Sequence, residues 1–146
     1  MRFAVPLVSV LLAVSASLAA PAVSLESRQI GNLACNVARG QIVAALNKSG
    51  KNLKNVDTST DPAAAGAVTT AQTGLKAAGD GIKTIALSII TGQASPAGSR
   101  DQVANGIQSA TDALTALQST DPNVETTLQS LADATAAGQK VVATCK

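Results

Sequence analysis

Three stretches of the chain carry apolar residues at intervals that alternate between three and four positions. The first stretch contains Val68, Ala71, Leu75, Ala78, Ile82, Ile85 and Ile89. The second contains Val103, Ile107, Ala110, Leu114 and Leu117, and the third contains Val124, Leu128, Leu131, Thr135, Gly138, Val142 and Cys145. This spacing places each set on one face of an α-helix, and no stretch alternates with the period of two that is typical of strands. The sequence therefore predicts an all-α fold.

Aspartate-proline pairs mark the predicted helix starts. The segment STDP occurs twice, at 59–62 and at 119–122. Aspartate is a favoured N-cap because its carboxylate accepts hydrogen bonds from free backbone N–H groups, and proline fits the first turn because its missing N–H would have no partner there. Helices are therefore predicted to begin after Asp61 and after Asp121. A capping box at Ser99 and Gln102, just after Ser95-Pro96, predicts another helix start.

The first residues have the features of a secretory signal peptide. Arg2 supplies a positive charge, an apolar run follows at 3–14, and small residues end the segment. We predict a signal peptide at 1–19, a propeptide at 20–28 and a single domain at 29–146. The apolar run is too short for a transmembrane anchor, so the predicted location is extracellular, in solution or at the cell wall.

The two cysteines of the chain lie in the predicted first and last helices. Residues 30–48 place Cys35, Ile42 and Leu46 on one face of a further helix, which a loop at 49–60 follows. An even number of cysteines in a secreted domain favours a disulfide. In an up-down-up-down four-helix bundle, the start of the first helix lies beside the end of the fourth, where Cys35 and Cys145 fall. We therefore predict a bundle closed by a Cys35–Cys145 disulfide.

A possible site of N-glycosylation, a modification of secreted proteins, lies near the end of the first predicted helix. Asn47-Lys48-Ser49 matches the acceptor sequence for N-glycosylation. We expect Asn47 to be exposed there and open to modification.

The composition excludes most catalytic designs and most nucleic-acid-binding designs. The chain contains no His, Trp or Tyr, and its one Phe lies in the predicted signal peptide. Without histidine there is no Ser-His or Cys-His nucleophile and no imidazole metal site, and without aromatic rings there is no stacking surface for bases or sugars. The net charge is +2, and the basic residues form no dense patch. We expect no cofactor, no metal and no nucleic acid partner.

The carboxylates do not converge on a catalytic site in the predicted helices. Asp80, Asp112 and Asp133 all fall at heptad position f, which faces away from the core. Lys76 and Lys83 flank Asp80 at helical spacing, which favours surface ion pairs. The sequence therefore predicts no catalytic residues and a protein that is not an enzyme.

A row of small residues runs beside the apolar stripe of the second predicted helix. Gly74 and Gly81 belong to this row, although glycine in a helix interior costs about 1 kcal/mol relative to alanine. One explanation is close packing of two helices. The other is an apolar groove, lined by Leu75, Ile82 and Ile85 together with Gly74 and Gly81, that admits a lipid chain. The sequence leaves both explanations open.

The helical part of the chain resembles two groups of fungal extracellular proteins. The segment GLKAAGDGIKTIALSIITGQASPAGSRDQVANGIQSATDALTAL, together with the signal peptide, is similar to fungal small secreted proteins and, more distantly, to the hydrophobic-surface-binding and cell-wall galactomannoprotein family. The distant family implies a helical bundle without catalysis that adsorbs to hydrophobic surfaces or holds fatty acids. The small secreted proteins imply signalling or interaction roles. Cys35 and Cys145 depart from the galactomannoprotein pattern, and no functional residue of that family carries over.

Two functional hypotheses follow for a protein that we expect to be monomeric. In the first, a secreted protein binds hydrophobic surfaces or lipid and fatty-acid ligands. In the second, an effector, signal or wall component acts through an extracellular protein partner. An acyl chain that co-purifies with the secreted protein would favour the first hypothesis.

Overall fold

The computed structural model describes residues 32–59 and 61–145. Four α-helices account for most of this part of the chain: α1 Leu33–Leu53, α2 Pro62–Ile90, α3 Ala97–Ala116 and α4 Pro122–Thr144. No strand occurs in it, so the all-α fold that the apolar spacing predicts is confirmed. The predicted signal peptide at 1–19 and propeptide at 20–28 lie outside the described residues.

Aspartate side chains cap the starts of α2 and α4. The Asp61 carboxylate accepts a hydrogen bond from the N–H of Ala63 at 2.8 Å, and the Asp121 carboxylate accepts one from the N–H of Asn123 at 2.7 Å. A proline follows each cap and opens the helix. The STDP repeat therefore marks two helix starts, as predicted.

The start of α3 differs from the prediction. Pro96 occupies the N-cap position and no side chain caps the helix, which begins at Ala97. Ser99 is buried in the first turn, where its N–H donates to the Pro96 carbonyl oxygen at 3.0 Å. The predicted capping box at Ser99 and Gln102 is wrong, because Ser99 lies inside the helix instead of before it.

α1 extends into the segment predicted to be a loop. Leu53 and Ser49 are both buried, and the Ser49 hydroxyl donates to the Ala45 carbonyl oxygen at 3.0 Å. Their burial stabilises the helix through Ser49-Gly50 in spite of the low helix propensity of this pair. The predicted loop at 49–60 therefore begins too early, because the helix continues to Leu53. In the predicted glycosylation sequence, Asn47 is exposed, whereas Ser49 is buried.

The helices form a ring in which each one is antiparallel to its neighbours. α1 packs mainly against α4, and α2 packs mainly against α3; smaller contacts join α1 to α2 and α3 to α4. Within the described residues, no Cα atoms of the diagonal helices α1 and α3 lie within 8 Å of each other, and the same holds for α2 and α4. The bundle consists of two close pairs, the α1–α4 pair and the α2–α3 pair, in the predicted up-down-up-down order.

Glycines bring the two backbones of the α2–α3 pair together. A Cβ atom on Gly74 would lie 2.5 Å from the carbonyl oxygen of Gly106, and one on Gly106 would lie 2.5 Å from that of Gly74. A Cβ atom on Gly81 would lie 2.9 Å from the Ser99 carbonyl oxygen. No larger residue fits at these positions unless a helix shifts. Close packing therefore accounts for Gly74 and Gly81 in the small-residue row.

A disulfide joins the start of α1 to the end of α4. Cys35 and Cys145 are bonded, with their Cα atoms 5.1 Å apart, so the predicted pairing is confirmed. Beside them, the Asn32 side-chain amide donates to the Thr144 carbonyl oxygen at 2.7 Å. The Asn32 side-chain oxygen accepts from the Cys35 N–H at 3.1 Å and so caps α1. We call this end of the bundle the disulfide end.

At the opposite end, which we call the loop end, the α1–α2 and α3–α4 connections meet. The Asp57 N–H donates to the Asp121 carboxylate at 3.1 Å, and the Asn123 side-chain amide donates to the Asn55 carbonyl oxygen at 3.1 Å. Hydrogen bonds from the N–H groups of Asn123 and then Asp57 lower the pKa of Asp121. These bonds hold the two connections together.

Large apolar side chains fill the loop half of the bundle. The largest that are fully buried are Leu53, Leu114, Leu131 and Val124. Thr127 is one of the buried polar residues. Its hydroxyl donates a hydrogen bond to the carbonyl oxygen of Asn123, one helical turn earlier, at 2.7 Å. The core is therefore closed at this end, and this buried hydroxyl is satisfied within its own helix.

Replacing Gly74 with alanine should lower the free energy of unfolding by about 1–3 kcal/mol, because the added methyl group overlaps the Gly106 carbonyl oxygen. Gly79→Ala is the matched control on the same helix, since a Cβ atom there would meet nothing within 4 Å. The control should raise the free energy of unfolding by up to about 1 kcal/mol. Urea titrations measure both changes, and equal stabilities of the two variants would contradict the packing argument.

Removing the disulfide with Cys35→Ala and Cys145→Ala together should lower the free energy of unfolding by up to about 5 kcal/mol. The bond spans a sequence separation of 110 and restricts the unfolded chain over that length. Denaturant titration followed by circular dichroism measures the loss. A double variant as stable as the wild type would show that the bond contributes nothing to folding.

Candidate functional site

An apolar groove opens between the two helix pairs in the disulfide half of the bundle. Its volume is about 510 Å³, which lies within the roughly 300–1,000 Å³ usual for small-molecule sites. All four helices contribute some of their residues to the lining, the outermost being Arg39 and Val43 on α1, Ile82 and Ile89 on α2, Arg100 and Gln108 on α3, and Ala134 and Val142 on α4. The α3 lining alone covers eight helical steps of about 1.5 Å each, so the groove runs at least about 12 Å along the bundle.

Small residues keep this groove open. Five of the lining residues are glycine or alanine: Gly40, Ala86, Ala104, Ala134 and Gly138. A Cβ atom on Gly40 or Gly138 would meet nothing within 4 Å. The groove has no aromatic lining residue that could fill this space. Buried leucines fill the core at the loop end, whereas at the disulfide end the space between the helix pairs stays open as the groove.

Branched aliphatic side chains form the walls of the groove. The main ones are Ile42 and Val43 on α1, Ile82, Ile85 and Ile89 on α2, Val103 and Ile107 on α3, and Val141 and Val142 on α4. Several remain in contact with water, and Val142 is 68% exposed. A ligand in the groove would cover this apolar surface, which is favourable by about 25 cal/mol per Å².

Two arginines line the same groove from diagonal helices. Arg39 lies in the second turn of α1 and Arg100 in the first turn of α3. Partial burial and, second, the positive charge of Arg100 lower the pKa of Arg39. The Arg39 guanidinium also donates to the Asn36 side-chain oxygen at 3.3 Å. Because no aspartate or glutamate lines the groove, its charged lining is entirely positive.

The structure separates the five residues that the sequence suggests for an apolar groove. Ile82 and Ile85 line the groove. Gly74 and Gly81 are buried against the backbone of α3 instead. Leu75 is half-buried and packs against the core, outside the groove lining. The groove therefore takes the part of the α2 stripe nearest the disulfide end.

The two arginines are the functional candidates that sequence reasoning missed. Arg39 stands three residues before Ile42, and Arg100 stands three residues before Val103. This spacing places each arginine on the same helix face as the apolar stripe that follows it. The sequence feature that could have pointed to Arg39 and Arg100 is therefore a positive charge at the end of an apolar helix face. On α4, the lining residues Thr135, Gly138 and Val142 belong to the predicted stripe, but no arginine or lysine of α4 lines the groove.

Other chemical groups lie away from the groove. Asp80 pairs with Lys76 at 2.8 Å and with Lys83 at 3.3 Å, so the ion pairs predicted from spacing are confirmed. Asp112 and Asp133 are exposed. Among residues 32–59 and 61–145, no three His, Cys, Asp or Glu side chains are grouped so that they could hold a metal ion. No helix in the same part of the chain combines the length and hydropathy needed to cross a membrane.

Comparison of the chain with protein-family models, curated proteins and solved structures finds no match. The resemblance to hydrophobic-surface-binding proteins thus stays a prediction, and the groove itself carries the functional argument.

Proposed function

We propose that this is a secreted, non-enzymatic protein that binds a single acyl chain, such as that of a fatty acid, in the groove between its helix pairs. The observation that supports this function is the groove of about 510 Å³ with aliphatic walls from all four helices. Its lining extends over several helical turns along the bundle, so a linear chain can follow it. Each methylene group that leaves water contributes about 0.8 kcal/mol to binding.

A second candidate function is attachment of the disulfide end to a hydrophobic surface or to an extracellular protein partner. Leu33, Leu87 and Ile90 lie in this half of the molecule outside the groove lining, and they are 76%, 63% and 81% exposed. Exposed apolar residues that cluster at one end are typical of interaction surfaces. This function uses side chains outside the groove, so the two candidates can be tested separately.

Filling the groove tests the first function. Gly138→Leu adds a side chain at a lining position where a Cβ atom meets nothing within 4 Å, so it should occupy part of the groove. We expect the affinity for palmitate, measured by displacement of the neutral dye Nile red, to fall about tenfold or more because methylene contacts are lost. Thermal stability should stay the same or rise, since glycine is unfavourable in a helix interior.

The matched control for this experiment is Gly66→Leu. Gly66 is exposed on α2 at the loop end, and a Cβ atom there also meets nothing within 4 Å. The control should bind palmitate as the wild type does. A wild type that takes up neither palmitate nor Nile red would refute the proposed function. Unchanged affinity in Gly138→Leu would show that binding occurs elsewhere.

The second function predicts a different pattern. Leu87→Ser together with Ile90→Ser should reduce adsorption to a hydrophobic surface, such as polystyrene beads, because both side chains are exposed. Palmitate affinity should not change, since Leu87 and Ile90 do not line the groove. A loss of palmitate binding with unchanged adsorption would contradict this separation.

A further inference from the structure

The groove ends inside the bundle, where fully buried side chains follow its lining. Toward the disulfide end the lining includes Val142, which is 68% exposed. Toward the loop end it includes Ile107 on α3 and Ala134 on α4, which are both buried. A ligand that fills the groove therefore meets water at the disulfide end and protein at the inner end.

The polar groups near this inner end lie at the exposed rim of the groove. Gln108 and Thr135 line the groove and are both exposed. The Gln108 amide donates to the Asp112 carboxylate at 2.7 Å, and the Thr135 hydroxyl donates to the Leu131 carbonyl oxygen at 3.0 Å. The buried lining residues of the groove are all apolar. Methylene groups at the inner end would therefore pack against an apolar floor.

Leu131 occupies the next turn of α4 beyond the groove. It stands three residues before Ala134, so the two residues share one helix face. Leu131 is 0% exposed and does not line the groove. The corresponding turns of α2 and α3 carry Ala78 and Ala110, which are buried in the same core cluster but are small. Leu131 is therefore the largest fully buried side chain in the turn that follows the groove.

We propose that Leu131 sets the maximum length of the acyl chain that the groove accepts, because its side chain closes the space between the helix pairs at the inner end. This inference rests on the proposed function and adds a chain-length limit and the residue that imposes it. Methylene groups inside the groove leave water, whereas those beyond its capacity stay in water at the disulfide end. The limit depends on where the space ends and not on which end of the ligand enters first.

A series of saturated fatty acids tests the limit in the wild-type protein. Laurate, myristate, palmitate, stearate and arachidate differ in steps of two methylene groups, and each can be titrated against bound Nile red. Each step should raise the affinity about tenfold while the added carbons still lie in the groove. Once the groove is full, further steps should leave the affinity nearly unchanged. An affinity that keeps rising about tenfold per step through arachidate would overturn the inference.

Shortening Leu131 should lengthen the accepted chain. Leu131→Ala leaves a cavity one helical turn beyond Ala134, which should move the affinity plateau to a longer acid by about one step of the series. The affinity for the first acid beyond the wild-type plateau should rise about tenfold. Leu131→Met nearly conserves the side-chain volume and should keep the wild-type plateau.

Leu53→Ala is the matched control, because Leu53 is a fully buried leucine at the loop end and does not line the groove. The control should destabilise the fold as Leu131→Ala does, since both create a cavity in the core. Its plateau should stay at the wild-type acid. A plateau that moves equally in both variants would show that general loosening of the core, and not Leu131, determines the accepted length.

The failure of this inference is distinguishable from the failure of the proposed function. If no acid of the series displaces the dye from the wild type, both fail. If the acids bind but a folded Leu131→Ala variant keeps the wild-type plateau, the length limit fails and acyl binding stands. If Leu131→Ala does not fold, Leu131→Val makes a smaller cavity and carries the same test. It should raise the affinity for the first acid beyond the plateau several-fold, and an unchanged affinity would reject the role of Leu131.

Discussion

The backbone contact between α2 and α3 at Gly74 and Gly106 sets the spacing on which the rest of the bundle depends. Dispersion forces act over short distances, so a bundle whose described residues include no aromatic side chain gains most by bringing its helices close together. Glycine makes this approach possible, although each glycine costs about 1 kcal/mol in helix propensity. Because the helices approach closely in pairs, the space between the pairs must be filled by the apolar stripes alone.

Those stripes fill the space unequally. At the loop end, Leu53, Leu114 and Leu131 close the core completely. At the disulfide end, Ala134 and Gly138 stand on the facing wall of α4, and the isoleucines of α2 remain partly in contact with water. A sequence shaped for stability alone would place at least alanine at position 138, because a Cβ atom on Gly138 meets nothing within 4 Å. Its absence agrees with a groove kept open for a ligand.

The features that the sequence predicted well are those with local causes. The apolar stripes, the caps at Asp61 and Asp121, and the cysteine positions each follow from spacing or from hydrogen-bond chemistry within a few residues. The end of α1 was predicted too early because burial of Leu53 is a tertiary effect. The groove was only partly predicted for the same reason. Leu75 and Ile82 lie on one stripe, two helical turns apart, and both pack against the core, but only Ile82 also lines the groove.

In residues 32–59 and 61–145, no covalent connection crosses the groove at the disulfide end. The Cys35–Cys145 bond joins α1 to α4, and the 91–96 connection joins α2 to α3, so each link stays within one close pair. The chain passes from one pair to the other at the loop end, where Asp57 and Asn55 contact the start of α4. Each helix pair is therefore linked covalently at the disulfide end, and the two pairs are connected to each other at the loop end. Within the described residues, a wider separation of the two pairs at the disulfide end would therefore break no covalent link.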